Sequence, residues 1–232
     1  MSLHLQSDLE RLQKQLLYLA AQVEDAVRKA VTALLERRQD IALDVIGGDN
    51  EIDRSEVELE EECLKVLALH QPVATDLRFV AACLKIDNDL ERIGDLAVNI
   101  AERAAFLTTH KPFPVPHQLK AMMEESMRMV RESLDAFVQG DVVVARRICR
   151  DDEEVDRLHR EIGREVLETM RSSPDAVEPG MQMYSVSKSL ERIADHATNI
   201  AEDVVYMVAG EIIRHAGSKR ATGERRANGK RA

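Results

Sequence analysis

Tryptophan is absent, and aromatic residues make up only 3% of this 232-residue chain. Sheet-rich cores draw on aromatic and β-branched side chains. Here alanine, leucine, valine, isoleucine and methionine must fill the interior, which suits helix packed on helix. Cysteine is scarce: Cys63, Cys83 and Cys149 follow no paired spacing, so neither a disulfide framework nor a thiolate zinc motif is expected. No apolar run approaches the ~18 residues of a membrane span. The segment Met1–Glu10 lacks a basic region followed by an apolar run, so it does not read as a signal peptide. The expected location is the cytoplasm.

Catalytic signatures are missing as well. The chain has no glycine-rich phosphate loop, no GxSxG, no HExxH and no Cys/His pair at ligand spacing. A ferritin-like di-iron centre needs Glu-x-x-His on two helices. The nearest approach, Asp156-x-x-His159, occurs once. Positive charge is in deficit, with a net charge of −10, which argues against nucleic acid as the partner of the body of the protein. The reading is of a protein that is not an enzyme.

What the chain has instead is a stretch carried twice. Leu90-Glu-Arg-Ile-Gly-Asp-Leu-Ala-Val-Asn-Ile-Ala-Glu102 returns as Leu190-Glu-Arg-Ile-Ala-Asp-His-Ala-Thr-Asn-Ile-Ala-Glu202, 100 residues later. Only Gly94/Ala194, Leu96/His196 and Val98/Thr198 differ. Internal repetition at this fidelity implies a duplicated supersecondary unit. Each cysteine aligns with an apolar residue of the other half: Cys63 with Val166, Cys83 with Met183, Cys149 with Ile46. They are expected to act as small buried hydrophobes.

In chain order, apolar residues at three- and four-residue steps predict one long helix over 5–38. A short helical turn at Ile41–Ile46 should stop at Gly47-Gly48, since glycine takes the left-handed cap without steric cost. Asp49 would then cap a helix to about His70, closed by Gln71-Pro72. A third helix runs from about Ala74 to Thr109. Lys111-Pro-Phe-Pro-Val-Pro116 reads as a semi-rigid extended linker. The second half repeats the plan: helices over 117–138 and 141–171 with Gly140 between them, a turn at Asp151–Asp156, a loop at Ser172–Gly180, and a last helix over 181–215. All six prolines then fall outside helices. The expected organisation is all-α, with up-down antiparallel helices. A first three-helix bundle spans 1–110, the linker 111–116, a second three-helix bundle 117–216 and a disordered basic tail 217–232. That tail admits peripheral contact with an anionic membrane surface.

Each half carries acid-x-x-x-acid pairs on two helices. They are Asp49/Asp53 with Glu91/Asp95, and Asp152/Asp156 with Glu191/Asp195. Asn99 and Asn199 extend the rows. Glu91, Asp95 and Asn99 span an arc of about 80° on one helix face, opposite Ile93, Ala97 and Ile100. Like charges four apart repel, and something should offset that cost. One candidate is a divalent or trivalent metal held by hard oxygen ligands, such as magnesium, calcium, manganese or iron. The other is a solvated face partly neutralised by Arg92 and Arg192. His196 is expected to be a partly buried, hydrogen-bonded histidine, and Met122, Met123, Met127 and Met129 core fillers.

The duplicated plan, Gln71-Pro-Val-Ala-Thr-Asp-Leu-Arg-Phe-Val80, Leu84-Lys-Ile-Asp-Asn-Asp-Leu-Glu-Arg-Ile-Gly-Asp95 and the second copy of the motif closely resemble the PhoU family, over about residues 5–215. The resemblance implies two pseudo-symmetric three-helix bundles, a homodimer, and a non-enzymatic negative regulator of phosphate uptake and of the phosphate-starvation response. Its implied partners are the ATPase subunit of the phosphate ABC transporter and a membrane sensor histidine kinase. It also implies metal, whether iron, zinc, manganese or magnesium, at Asp49, Asp53, Glu91, Asp95, Asn99, Asp152, Asp156, Glu191, Asp195 and Asn199. The alternative reading is a metal-storage protein or a metal-dependent phosphoester hydrolase built on the same carboxylates.

Overall fold

The apolar stripe that opens the chain becomes helix α1, Leu3–Glu36. Leu12, Leu16, Leu19, Val23, Val27, Ala30 and Ala33 on it are wholly buried. The computed structural model describes residues 3–213. Five more helices follow: α2 Gln39–His70, α3 Ala74–Thr108, α4 Leu119–Gln139, α5 Val142–Ser172 and α6 Val177–Ala209. A 3-10 turn, Pro174–Ala176, leads into α6. No strand occurs among the described residues. Helices α1, α2 and α3 pack on one another, as do α4, α5 and α6, and α3 lies against α6 to join the two bundles. One continuous apolar core runs through both.

Four boundaries differ from the sequence expectation. Helix α2 does not stop at Gly47-Gly48 but runs unbroken from Gln39 to His70. Ala42, Val45 and Ile52 on either side are buried, and that packing outweighs the roughly 1 kcal/mol by which each glycine weakens a helix. Likewise Asp151–Asp156 is not a turn; it lies within α5. Pro179 falls inside α6, in its first turn. The missing N–H costs nothing there, because the first turn has no intrahelical acceptor for it. At its far end α6 stops at Ala209, where Gly210 takes the left-handed cap at φ 71°. The expected extension to 215, beyond Ile213, and the basic tail 217–232 lie outside the described residues.

Other breaks match their chemistry. Gly140 has φ 65°, and the Asp141 carboxylate caps α5 by accepting from the Val143 and Val144 amides at 2.9 and 3.0 Å. Gln71 closes α2 at φ 45° just before Pro72. The proline-rich connection is tethered: the Arg37 guanidinium donates to the carbonyls of Thr108 and His110 at 3.1 and 2.8 Å, and Phe113 is buried. The methionines Met122, Met127 and Met129 are buried and Met123 packs against the core. Cys63 and Cys83 are buried, Cys149 is half-buried, and all are free thiols.

Candidate functional site

Two rows of acids face each other across each bundle surface. On α2 and α3 they are Asp49 and Asp53 against Glu91 and Asp95. Four-residue spacing puts each pair on one helical face, with Ile93, Ala97 and Ile100 buried on the opposite side. The pairing across helices is visible in the electrostatics. Partial burial raises the Asp49 carboxyl first, and the charges of Asp53 and Asp95 raise it further. Glu91 is raised by burial, then by Asp95, with smaller contributions from Glu56 and Asp53. On α5 and α6 the same pattern is stronger. Burial, then Asp195, Asp156 and Glu191, pushes Asp152 up to about 6. Asp195 is raised by burial, Glu191 and Asp156, and Glu191 by burial and Asp156.

Burial is the first cause of each rise, and the neighbouring acids add to it. Arg92 reaches Glu91 at 3.4 Å and Asp95 at 3.3 Å, and Arg160 reaches Asp156 at 3.4 Å. These are long, exposed ion pairs worth little. The two amides do not complete the rows in the same way. Asn99 donates to the Asp95 main-chain carbonyl at 2.9 Å. Asn199 turns to the other bundle and donates to Asp89 Oδ1 at 3.2 Å. Four carboxylates per half, with no histidine or thiolate among them, are the donor set of a hard cation. Among the described residues, however, no three acids, histidines or cysteines converge closely enough to hold an ion as they stand. The residues therefore fit a hard metal in donor chemistry, and their side chains would have to swing together to bind it.

Sequence reasoning missed how far the first row continues. Helix α3 carries Cys83, Asp87, Glu91 and Asp95 at four-residue steps, and α2 offers Glu56, Glu60 and Cys63 opposite. Asp87 is only 1% exposed. The signal was the same spacing, read one turn too short. In the second half Ser187 replaces Asp87 and binds His159 Nδ1 at 3.0 Å.

The seam between the bundles is polar along one edge. His196 Nδ1 and Asp89 Oδ1 lie 2.8 Å apart, confirming a partly buried, hydrogen-bonded histidine. Lys85 donates to the buried Asp203 at 2.8 Å, and Arg78 Nε donates to the Met207 carbonyl at 2.9 Å. These pairs run in opposite directions along the two helices, so α3 and α6 are antiparallel.

Fold and site together define a duplicated helical protein, with six α-helices among the described residues and matching carboxylate rows in its two halves. The PhoU domain profile matches residues 16–104 and again 119–204. The chain is 37% identical over 219 residues to the Pseudomonas putida phosphate-specific transport system accessory protein PhoU homolog, covering 94% of this chain and 86% of that one. It is 38% identical over 208 residues to the Aquifex aeolicus strain VF5 homolog, covering 90% and 94%. The crystal structure of PhoU from Pseudomonas aeruginosa superposes with a TM-score of 0.84 at 36% identity, covering 89% of this chain and 99% of that one. The chain belongs to the PhoU family.

Proposed function

We propose that this protein is a negative regulator of phosphate uptake and of the phosphate-starvation response. It acts without chemistry of its own, as a cytoplasmic, homodimeric adaptor between the ATPase subunit of the phosphate ABC transporter and a sensor histidine kinase. The observation that carries the reading is the family match across both halves, to proteins named as accessory to phosphate-specific transport. No helix among the described residues is long and apolar enough to cross a membrane, which agrees with an adaptor that meets membrane partners from outside the bilayer. Such an adaptor moves the kinase only if it binds the kinase's two states unequally.

Metal belongs to this proposal. Asp49, Asp53, Glu91 and Asp95 would hold it in one half, and Asp152, Asp156, Glu191 and Asp195 in the other. A bound ion supplies positive charge between paired helices. What the residues themselves do is present facing carboxylates on two rigid elements, α2 with α3 and α5 with α6, so that neutralising them would tie each helix pair together at the surface.

Two measurements test this. Co-purification of the full chain with the transporter ATPase and with the kinase, in phosphate-rich and phosphate-starved cells, should recover at least one partner; recovering neither in either condition rejects the adaptor. Elemental analysis of the untagged protein and of Asp95→Ala/Asp195→Ala should show metal in the first and its loss in the second. Phosphoester turnover that disappears in the same variant would make the protein a hydrolase instead.

A further inference from the structure

The two halves present the same face of their middle helices with opposite charge. Helices α2 and α5 start two residues after the left-handed Arg37 and Gly140, which sets them in register at an offset of 103 (140 against 37). On that register Val57, Glu60, Glu61 and Leu64 of α2 answer to Arg160, Gly163, Arg164 and Leu167 of α5. Steps of three and four put each set on one helical face. On α5 that face borders a groove of about 440 Å³ lined by His159, Arg160, Gly163, Arg164, Leu167 and Tyr184. Gly163 makes room for it. A β-carbon there would lie 3.2 Å from Tyr184 Cε2, so the tyrosine ring rests against bare backbone, tilted on His159 with centroids 5.2 Å apart. Leu167 is 45% exposed, and Met181, one turn before Tyr184 on α6, is 54% exposed. Arg164 donates to the Arg160 carbonyl at 3.4 Å, and Arg160 reaches Asp156 at 3.4 Å. Both guanidiniums keep most of their donors for another partner, in a chain of net charge −10.

Helix α2 offers the complement. Val57 and Leu64 are 47% and 52% exposed, with Glu60 and Glu61 exposed between them. Arg11 and Lys65 pair with the neighbouring Glu62, and no lysine, arginine or histidine among the described residues pairs with Glu60 or Glu61. An amphipathic helix that lays apolar residues seven apart into a groove is a recurring mode of recognition. We propose that a second copy of this chain covers the groove. The outer face of its α2 lies between α5 and α6, with Val57 and Leu64 against Leu167 and Tyr184, and with Glu60 and Glu61 beside Arg160 and Arg164. Each copy carries one face of each kind. Two α2 faces would set glutamate against glutamate, and two α5 faces arginine against arginine, so only the unlike pairing is favoured. The α2 face has no groove of its own, because Glu60 stands where Gly163 opens the second half. This contact gives the homodimer of the proposed function its surface, and it rests on that reading for the expectation that copies pair.

Charge reversal tests the pairing. The full chain, Glu60→Arg/Glu61→Arg and Arg160→Glu/Arg164→Glu are each followed by sedimentation velocity over about 1–100 µM. The wild type should self-associate, and each variant alone should do so about tenfold or more weakly, because its two faces now carry like charge. Mixing the two variants should restore association. The reversed α2 face of one then meets the reversed groove of the other, and the two unaltered faces still match. A fold damaged by substitution cannot be rescued in this way. A wild type that stays monomeric throughout overturns the proposal. So do variants that associate as the wild type does, which would place the pairing of copies elsewhere, and a mixture that shows no recovery. Loss of the transporter ATPase or the kinase from Arg160→Glu/Arg164→Glu, with self-association intact, would assign the groove to that partner instead. The adaptor reading is scored separately: if wild type and variants all recover neither partner while the sedimentation results hold, the adaptor fails and this contact stands.

Discussion

Lys85 reaches across the seam between the bundles to Asp203, with 2.8 Å between Nζ and Oδ1 and the carboxylate only 2% exposed. The pair joins α3 to α6, and no counterpart is encoded on the other side of the pseudo-symmetry, where Ser185 and Arg103 stand. Lys85→Ala removes a charge-assisted donor from a buried acid. It should lower stability by about 1–3 kcal/mol. Urea denaturation of the variant measures it, and a change within about 0.5 kcal/mol would show that this pair adds nothing net to the seam.

His196 and Asp89 reinforce the same edge at 2.8 Å. His196→Leu copies Leu96 of the first half, and Asp89 keeps Asn199 as a donor. The expected loss is about 1 kcal/mol. Amide hydrogen exchange should quicken in the middle of α6 and stay unchanged in α1.

Gly47 and Gly48 lie within α2, and a β-carbon at either position meets nothing within 4 Å. Gly47→Ala/Gly48→Ala should raise stability by about 1–2 kcal/mol through helix propensity alone. Thermal unfolding in chelator would detect it. A destabilised double variant would mean that α2 needs flexibility at this point.

Asp87 should leave a signature in the pH dependence of the metal-free protein. Burial, then Glu56, Glu60 and Glu91, lifts its carboxyl from 3.8 to about 8. The folded state thus binds more protons than the unfolded chain between those values. Its contribution to stability is complete below about 3.8 and is lost as pH rises through about 8. In chelator, the melting temperature should fall between about pH 6 and pH 8 in the wild type and less steeply in Asp87→Asn. Parallel curves would place the fall on other groups than Asp87.

The amino-acid sequence alone determined the helical class, the duplication and the mirrored acids, because each is a matter of spacing. Apolar steps of three and four define a helix face, and a repeat at 100 residues needs no coordinates to be seen. Local signals misled where packing outranked them. Gly47-Gly48 reads as a stop, yet α2 continues because the buried residues around it secure the helix; Pro179 reads as a breaker, yet a first turn tolerates it. Only the tertiary structure decided which acids face which, that Asn199 leaves its row for Asp89, and that Asp87 is sealed from solvent beneath the first row. Those facts depend on how α2, α3 and α6 pack against one another, and burial turns an ordinary aspartate into a group in need of a partner.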